Sequence, residues 1–149
     1  MAINYNDKSE RLDKWNLKKK ELAKNAINNK LNSSNIFKQR SIYYAQLGEN
    51  IGFELNQTHP VLVVSKDTYN STGTVIVAPL SSGKIRNGKH ILNCQYILYK
   101  EKYPFLSKDS VIKCDQIRCI SSYRLLSKLG YVSEEDWKKI SLRIRSTFF

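Results

Sequence analysis

Hydrophobic residues near the start of the chain follow a helical spacing. Six positions between residues 8 and 31 are separated by alternating steps of three and four: Leu12, Trp15, Lys19, Leu22, Ala26 and Asn29. This spacing predicts a helix with one preferred face, and Asp7 or Ser9 can cap its start. Because two of the six positions are polar, the face is either a weak docking or coiled-coil surface or a short apolar stripe on a solvated helix.

From residue 40 onward the apolar residues come in short runs that are typical of strands. The runs that we predict to be strands cover residues 42–47, 60–65, 74–80, 90–94, 110–115 and 116–120. The run at 60–65 is continuously apolar, as in a strand that is buried on both faces. We expect Pro79 near a strand end or a bulge. Strands in quick succession without intervening helices predict a small β-barrel.

A second helix is predicted at the end of the chain. Ser133 is a suitable N-cap, and the next three residues are acidic, which the helix dipole favours in a first turn. Val132 and Trp137 occupy the two positions of a hydrophobic staple. The expected fold is mostly β with α, divided into an N-terminal helical extension over 1–35 and a barrel domain over 36–149. The turn-forming residues 32–35 mark the boundary.

The charge of the chain narrows the class of partner. Its 149 residues include 25 Lys and Arg against 13 Asp and Glu, a net charge of +12. Residues 1–36 hold eight basic and four acidic residues and the remainder 17 and nine, so the barrel part is basic by itself. Such an excess favours a polyanion: nucleic acid, an anionic membrane surface or an acidic protein.

Other features of the composition indicate a cytoplasmic protein without a metal or another cofactor. No run approaches the roughly 18 apolar residues that span a membrane, and the first 20 residues lack the apolar core of a secretory signal. The three cysteines are an odd number without CxxC spacing, which fits a reducing cytosol. His59 and His90 match no zinc-binding pattern.

Three polar segments interrupt the strand pattern and are the candidates for chemistry. Residues 54–59 precede a buried strand, residues 79–84 (PLSSGK) follow one, and residues 113–118 (KCDQIR) lie inside an apolar context. On a continuous strand, Lys113 and Asp115 would share one face, opposite Gln116 and Arg118. Both patterns also have purely structural interpretations. Lys113 and Asp115 can form an edge-strand ion pair that contributes little to stability, and residues 79–84 can be a turn whose Ser and Gly are needed for the backbone conformation.

In this order the three segments resemble the MazF/PemK family of toxins from bacterial toxin–antitoxin systems. The resemblance rests on IYYAQLGENIGFELNQTHPVLVVS (42–65), TVIVAPLSSG (74–83) and DSVIKCDQIRCIS (109–121). It implies a homodimeric, SH3-like (MazF/CcdB-type) barrel that cleaves single-stranded RNA, such as mRNA, at short sequences without a metal. The products would carry 2′,3′-cyclic phosphate and 5′-hydroxyl ends. It also implies a cognate antitoxin protein as partner, and it does not extend to the N-terminal helix.

The resemblance assigns roles to individual residues. Ser81 takes the place of the family's catalytic threonine, and Lys113 and Asp115 that of a basic–acidic pair near the scissile phosphate. Family members usually have an arginine, a permanent bidentate phosphate clamp, where this chain has His59; a histidine can instead shuttle a proton. The implied catalytic residues are His59, Ser81, Lys113 and Asp115. The implied RNA contacts are Glu54, Asn56, Ser82, Lys84 and Gln116, the last also suited to supporting the loops.

Two other interpretations stay open. Within the same fold, His59 can mark an inactive or weakened module that binds RNA, or a protein target such as gyrase as the related CcdB toxins do, without cleavage. A basic barrel can also bind nucleic acid by stacking and charge alone, with no chemistry. The nuclease interpretation requires His59, Ser81 and the Lys113–Asp115 pair to converge on a single positively biased pocket.

Overall fold

The computed structural model describes residues 3–29, 37–82 and 92–149. Its regular elements are α1 (Tyr5–Asn28), β1 (Ser41–Gln46), β2 (Thr58–Val63), β3 (Thr74–Ser81), β4 (Gln95–Leu98), β5 (Ser110–Lys113), β6 (Arg118–Ser121), β7 (Leu125–Tyr131) and α2 (Glu134–Phe148). Short 3₁₀ turns are formed by Asp67–Tyr69, Cys114–Gln116 and Ser122–Arg124. Neither α1 nor α2 has the combination of length and apolar composition that crossing a bilayer requires. The mostly β architecture with α is as predicted.

Strand β3 organises the seven-stranded antiparallel sheet, whose order is β4-β5-β3-β2-β1-β7 with β6 also paired to β3. Its first half, Thr74–Val77, pairs with β6, its middle, Val77–Pro79, pairs with β2, and its last two residues pair with β5. Pro79 is the last β3 residue in the ladder with β2, close to the strand end where a proline is tolerated. Along the edge opposite β2, the partner of β3 thus changes from β6 to β5 at its last two residues.

Two apolar clusters pack on opposite faces of the sheet. One includes Leu62, Leu80 and Ile140 of α2, and the other includes Val61 and Val63. Successive β2 residues therefore enter different clusters, which confirms a strand buried on both faces. Fully burying each of these side chains contributes about 1.5–3 kcal/mol, so the position of β2 is firmly determined.

Several boundaries differ from the predictions. Helix α1 begins at Tyr5 because the side chain of Asn4, rather than Asp7 or Ser9, accepts a hydrogen bond from the Asp7 amide at 2.9 Å. The strand predicted at 90–94 is wrong within its described part, since a turn closed by the 2.9 Å bond from Gln95 N to Leu92 O precedes β4. Strand β7 was not predicted; much of it is exposed, and it follows β1 with two register shifts.

Helix α1 contacts the barrel although none of its residues is buried. The Trp15 ring lies over Gly48, where an added Cβ would come within 2.5 Å of the indole, and Gly48 has a φ of +88° that favours glycine. The Arg124 guanidinium sits 5.6 Å from the Trp15 ring centroid, a cation–π distance. Trp15 belongs to the predicted face, so that face does dock.

Two polar contacts flank Trp15 along α1. Lys8 Nζ lies 2.7 Å from the carboxylate of Glu49, whose side chain is 7% exposed. At the other end, the Tyr123 hydroxyl donates to the Asn29 carbonyl. Because Lys8, Trp15 and Asn29 are seven and fourteen residues apart, they lie on one side of the helix. These contacts hold α1 against the loop between β1 and β2 and against the 3₁₀ turn Ser122–Arg124.

The start of α2 is fixed by a buried carboxylate. Asp136 accepts hydrogen bonds from Tyr96 at 2.6 Å and from Tyr103, and it pairs with Lys102 at 2.9 Å. The predicted N-cap is confirmed, because Ser133 Oγ accepts from the Asp136 amide at 3.2 Å. Burial by itself raises the pKa of Asp136, but the bonds from Tyr103, Tyr96 and Lys102 outweigh it and lower the pKa to about 2. The ionised carboxylate thus joins α2 to β4 and to the segment before β5.

We expect Asp136→Asn to lower the free energy of unfolding by about 2 kcal/mol at pH 7. Since the pKa is lowered on folding, the charge contributes fully above about pH 4 and is lost as the pH falls towards 2. Urea unfolding at pH 7 and pH 3 measures the effect. The matched control is Glu135→Gln, an exposed carboxylate in the same turn, which should cost about 0.5 kcal/mol or less. Equal losses in the two variants would contradict the assignment.

Candidate active site

His59 and Ser81 line one pocket of about 250 Å³. His59 lies near the start of β2, paired with Ala45, and Ser81 is the last residue of β3. Across the pair of strands, His59 Nδ1 lies 3.1 Å from the carbonyl oxygen of Leu80. A carbonyl only accepts, so Nδ1 carries the proton and Nε2 is the ring nitrogen left for a ligand.

Ser81 lines this pocket and carries an unsatisfied polar atom. Its Oγ is buried and has no hydrogen-bond partner among the described residues, whereas its backbone is in register with Val111 of β5. Buried polar atoms are nearly always bonded, and an unpaired one costs about 1–3 kcal/mol. The hydroxyl therefore keeps an unused donor next to the pocket.

A lysine that the sequence analysis missed supplies positive charge to the same pocket. Lys108 and Ser107 line it together with Tyr44, Ser82 and Ser110. The two residues come just before β5, whose Val111 and Ile112 are in register with the end of β3. Only this pairing brings them beside Ser81, and the spacing of residues along the chain carried no signal for it. The predicted neighbour Ser82 is exposed at the pocket.

The acidic candidates line a second pocket, of about 540 Å³. Its polar lining comes from Glu54, Asp115, Gln116 and Arg118, and its apolar lining includes Phe53 and Leu55. Phe53 is fully exposed. Two carboxylates, one guanidinium and an exposed aromatic ring suit a planar ligand that carries amino groups.

Gln116 stabilises the loop between β1 and β2 through two hydrogen bonds to its backbone. Its Oε1 accepts from the Leu55 amide at 3.0 Å, and its Nε2 donates to the Phe53 carbonyl at 3.2 Å. Asn56 also serves this loop, because its Oδ1 accepts from the Asn50 amide. The loop-supporting role expected for Gln116 agrees with these bonds, which occupy both of its polar atoms.

The expectation of a single pocket is wrong. Strand β5 ends at Lys113 and a 3₁₀ turn follows, so Lys113 and Asp115 do not alternate along one strand face. Asp115 lines the second pocket, and Lys113 lines neither. The pockets nevertheless meet at β3, because Pro79 borders one and Ser81 the other, which places these residues about 7 Å apart along the strand.

Lys113 and Asp115 instead flank a cysteine. Burial raises the pKa of the Cys94 thiol, the Asp115 carboxylate raises it further, and Lys113 opposes the rise. The Cys94 backbone is tied to the 3₁₀ turn after β5 by the 3.1 Å bond from Cys114 N to Cys94 O.

The structure gives no account of two predicted residues and bears on the prediction of no metal only within its described part. Lys84 and His90 lie outside the described residues. Within 3–29, 37–82 and 92–149, no three His, Cys, Asp or Glu side chains are grouped as metal ligands would be.

Comparisons with known proteins agree with the geometry. The family model for the PemK-like, MazF-like toxin of type II toxin–antitoxin systems matches residues 38–148. Endoribonuclease MazF of Staphylococcus saprophyticus is 30% identical over 106 residues, which cover 71% of this chain and 86% of that protein.

Solved structures show the same barrel. MazF from Deinococcus radiodurans superposes with a TM-score of 0.62 at 18% identity, covering 76% of this chain and 96% of that one. A mycobacterial endoribonuclease in complex with its cognate antitoxin gives 0.59 at 18% identity, covering 75% and 94%. Helix α1 lies outside the segment that the family model matches. On these grounds the chain belongs to the PemK-like, MazF-like family of type II toxins, with an added N-terminal helix.

Proposed function

We propose that this toxin is a metal-independent, sequence-specific endoribonuclease that cleaves single-stranded RNA to 2′,3′-cyclic phosphate and 5′-hydroxyl ends. The observation that carries the proposal is that His59 lines one pocket together with Ser81, whose hydroxyl has no partner among the described residues. The 30% identical relative bears the name endoribonuclease MazF. The net charge of +12 suits a polyanionic substrate.

The reaction moves one proton between two oxygens of the RNA. The 2′-hydroxyl oxygen attacks the neighbouring phosphorus while His59 Nε2 takes its proton as general base. The bond from phosphorus to the 5′-oxygen then breaks, and the imidazolium returns the proton to that leaving oxygen. No water is consumed, so the phosphate stays cyclic.

Charge on the crowded phosphate is stabilised by two groups. Ser81 Oγ donates to a non-bridging oxygen of the phosphate, which gives the hydroxyl the hydrogen-bond partner that it otherwise lacks. Lys108, on the rim of the same pocket, supplies the permanent cation that an arginine at position 59 would have supplied. The histidine is thereby free to act on protons.

The second pocket recognises a base next to the cut. The carboxylates of Glu54 and Asp115 accept hydrogen bonds from exocyclic amino groups, and Phe53 offers an exposed ring for stacking. Asp115 thus selects and orients the RNA, a different role from proton transfer. Lys113 lies outside both pockets and contributes long-range positive charge.

We expect Ser81→Ala to slow cleavage of a mixed RNA in EDTA by about 100- to 1,000-fold, because one positioned donor is lost. Binding of the same RNA should change much less. Mass spectrometry of the products measures the appearance of cyclic-phosphate ends. The matched control is Ser127→Ala, on the exposed part of β7, which should cleave at the wild-type rate.

Two results would contradict the proposal. RNA that stays intact with wild type but binds tightly would favour a binding module without chemistry. Cleavage by wild type that EDTA abolishes would place a metal in the reaction.

A cognate antitoxin and a second copy of the chain are the proposed protein partners. A mycobacterial neighbour is described in complex with its cognate antitoxin, and this basic surface suits an acidic segment that folds on binding. Light scattering at micromolar concentration should give twice the 17.3 kDa mass of one chain. Co-expression of the adjacent small gene should relieve growth arrest and yield a complex. A monomeric mass would contradict the proposed homodimer. Harmless expression of the toxin alone would contradict the proposed antitoxin.

A further inference from the structure

A groove with a basic wall lies between α1 and the barrel. Its volume is about 320 Å³, at the lower end of the range for ligand pockets. The helix contributes Arg11, Lys14, Trp15 and Lys18, and the barrel contributes Gln46, Gly48, Glu49, Gln57 and Thr58. Because the family match begins at residue 38, the helical wall of this groove lies outside the segment that the family model covers.

The three cations of the wall lie on one side of α1. Residues 11, 14 and 18 are separated by three and four positions, so their side chains are neighbours on the helix surface. Trp15 fixes the direction of this side by packing on Gly48 and under Arg124.

Arg124 connects the helical wall to the barrel. Besides contacting the Trp15 ring, Arg124 Nη1 donates to the Gln46 carbonyl at 3.1 Å. Because one side chain holds both walls, the groove is a feature of the folded chain rather than of a loosely attached helix.

The wall cations are available to an anion. Glu49 is the acidic side chain in the lining, and it is already paired with Lys8 at 2.7 Å. Lys14 pairs with Glu10 and Lys18 pairs with Glu21, and the side chains of both pairs are largely exposed. Such surface pairs are worth about 0–1 kcal/mol and exchange readily.

Gln46 lines the groove and has an unsatisfied acceptor. Its Oε1 is buried and has no hydrogen-bond partner among the described residues. Ribose hydroxyls and base amino groups can donate to such an acceptor, whereas an acidic protein segment can offer only its backbone N–H groups, because ionised carboxylates do not donate.

The groove is continuous with the candidate active site. Thr58 lines both this groove and the His59 pocket. On β1, Gln46 borders the groove and Tyr44 borders the His59 pocket, and residues two apart on a strand are about 7 Å from each other. One extended strand of RNA can therefore pass from one pocket into the other.

We propose that the groove between α1 and the barrel binds the sugar–phosphate backbone of the RNA next to the nucleotides at the cut. This inference rests on the proposed function. Arg11, Lys14 and Lys18 neutralise phosphates, and Gln46 accepts a hydrogen bond from a ribose hydroxyl or a base. Helix α1 is thus an added RNA-binding element that lengthens the footprint of the barrel.

The test compares two full-length triple variants that each remove three charges from α1. The groove variant is R11Q/K14Q/K18Q, and the control is K19Q/K20Q/K24Q, whose exposed lysines do not line the groove. Glutamine keeps the helix propensity and much of the side-chain length. The probe is a fluorescent random 20-mer of 2′-fluoro RNA, which lacks the attacking hydroxyl and stays intact.

We expect the groove variant to bind this probe about 10-fold or more weakly at 0.1 M salt, with a salt slope smaller by about 2. The control should stay near wild type on both measures. On cleavable RNA the groove variant should raise KM and keep kcat, because the groove lies away from the reacting atoms.

The remaining outcomes separate failure of the inference from failure of the proposed function. If wild type neither binds nor cleaves RNA, both fail. If wild type binds and cleaves but the groove variant is unchanged, or if both triple variants lose affinity equally, the inference alone is overturned. Weaker binding of polyglutamate with unchanged RNA binding would assign the groove to an acidic protein and would also overturn it.

Discussion

The pairing of β3 along both of its edges is the constraint on which the rest of the structure depends. One edge pairs with β2 up to Pro79, and the opposite edge pairs first with β6 and then, from Leu80, with β5. The register with β2 brings the end of β3 to His59, whose Nδ1 lies 3.1 Å from the Leu80 carbonyl oxygen. The pairing with β5 brings the segment before β5 to the same place, so that Lys108 lines the pocket with His59 and Ser81. Pro79 lies at the last pair of the β2 ladder, close to a strand end where a missing backbone donor is tolerated.

The proposed mechanism assigns proton transfer and base selection to different pockets. Lys108 and Ser81 accompany His59 in one pocket, while Glu54 and Asp115 line the other. Under this proposal, the absence of carboxylates among the described residues that line the His59 pocket avoids repulsion with a bound phosphate. In this arrangement His59 in place of arginine changes how charge is distributed, with Lys108 as the fixed cation, and does not by itself imply an inactive enzyme.

Much of the fold was predictable from the sequence, and the errors have physical causes. The runs at 60–65 and 74–80 and the cap at Ser133 are strong local signals, and the structure confirms them. Strand β7 is mostly exposed and lacks such a signal. Strand alternation failed at residue 114 because a 3₁₀ turn replaces the strand there. Lys108 was missed since long-range pairing alone brings it to Ser81.

The central claim is that His59 and Ser81 act on the same phosphate, and a double-mutant cycle tests it most directly. Single-turnover cleavage of one RNA would be measured for wild type, His59→Ala, Ser81→Ala and the double variant. Groups that act as a unit lose their effect together, so the double variant should cleave within about threefold of the slower single variant. Losses that multiply fully, as for distant independent sites, would contradict the account.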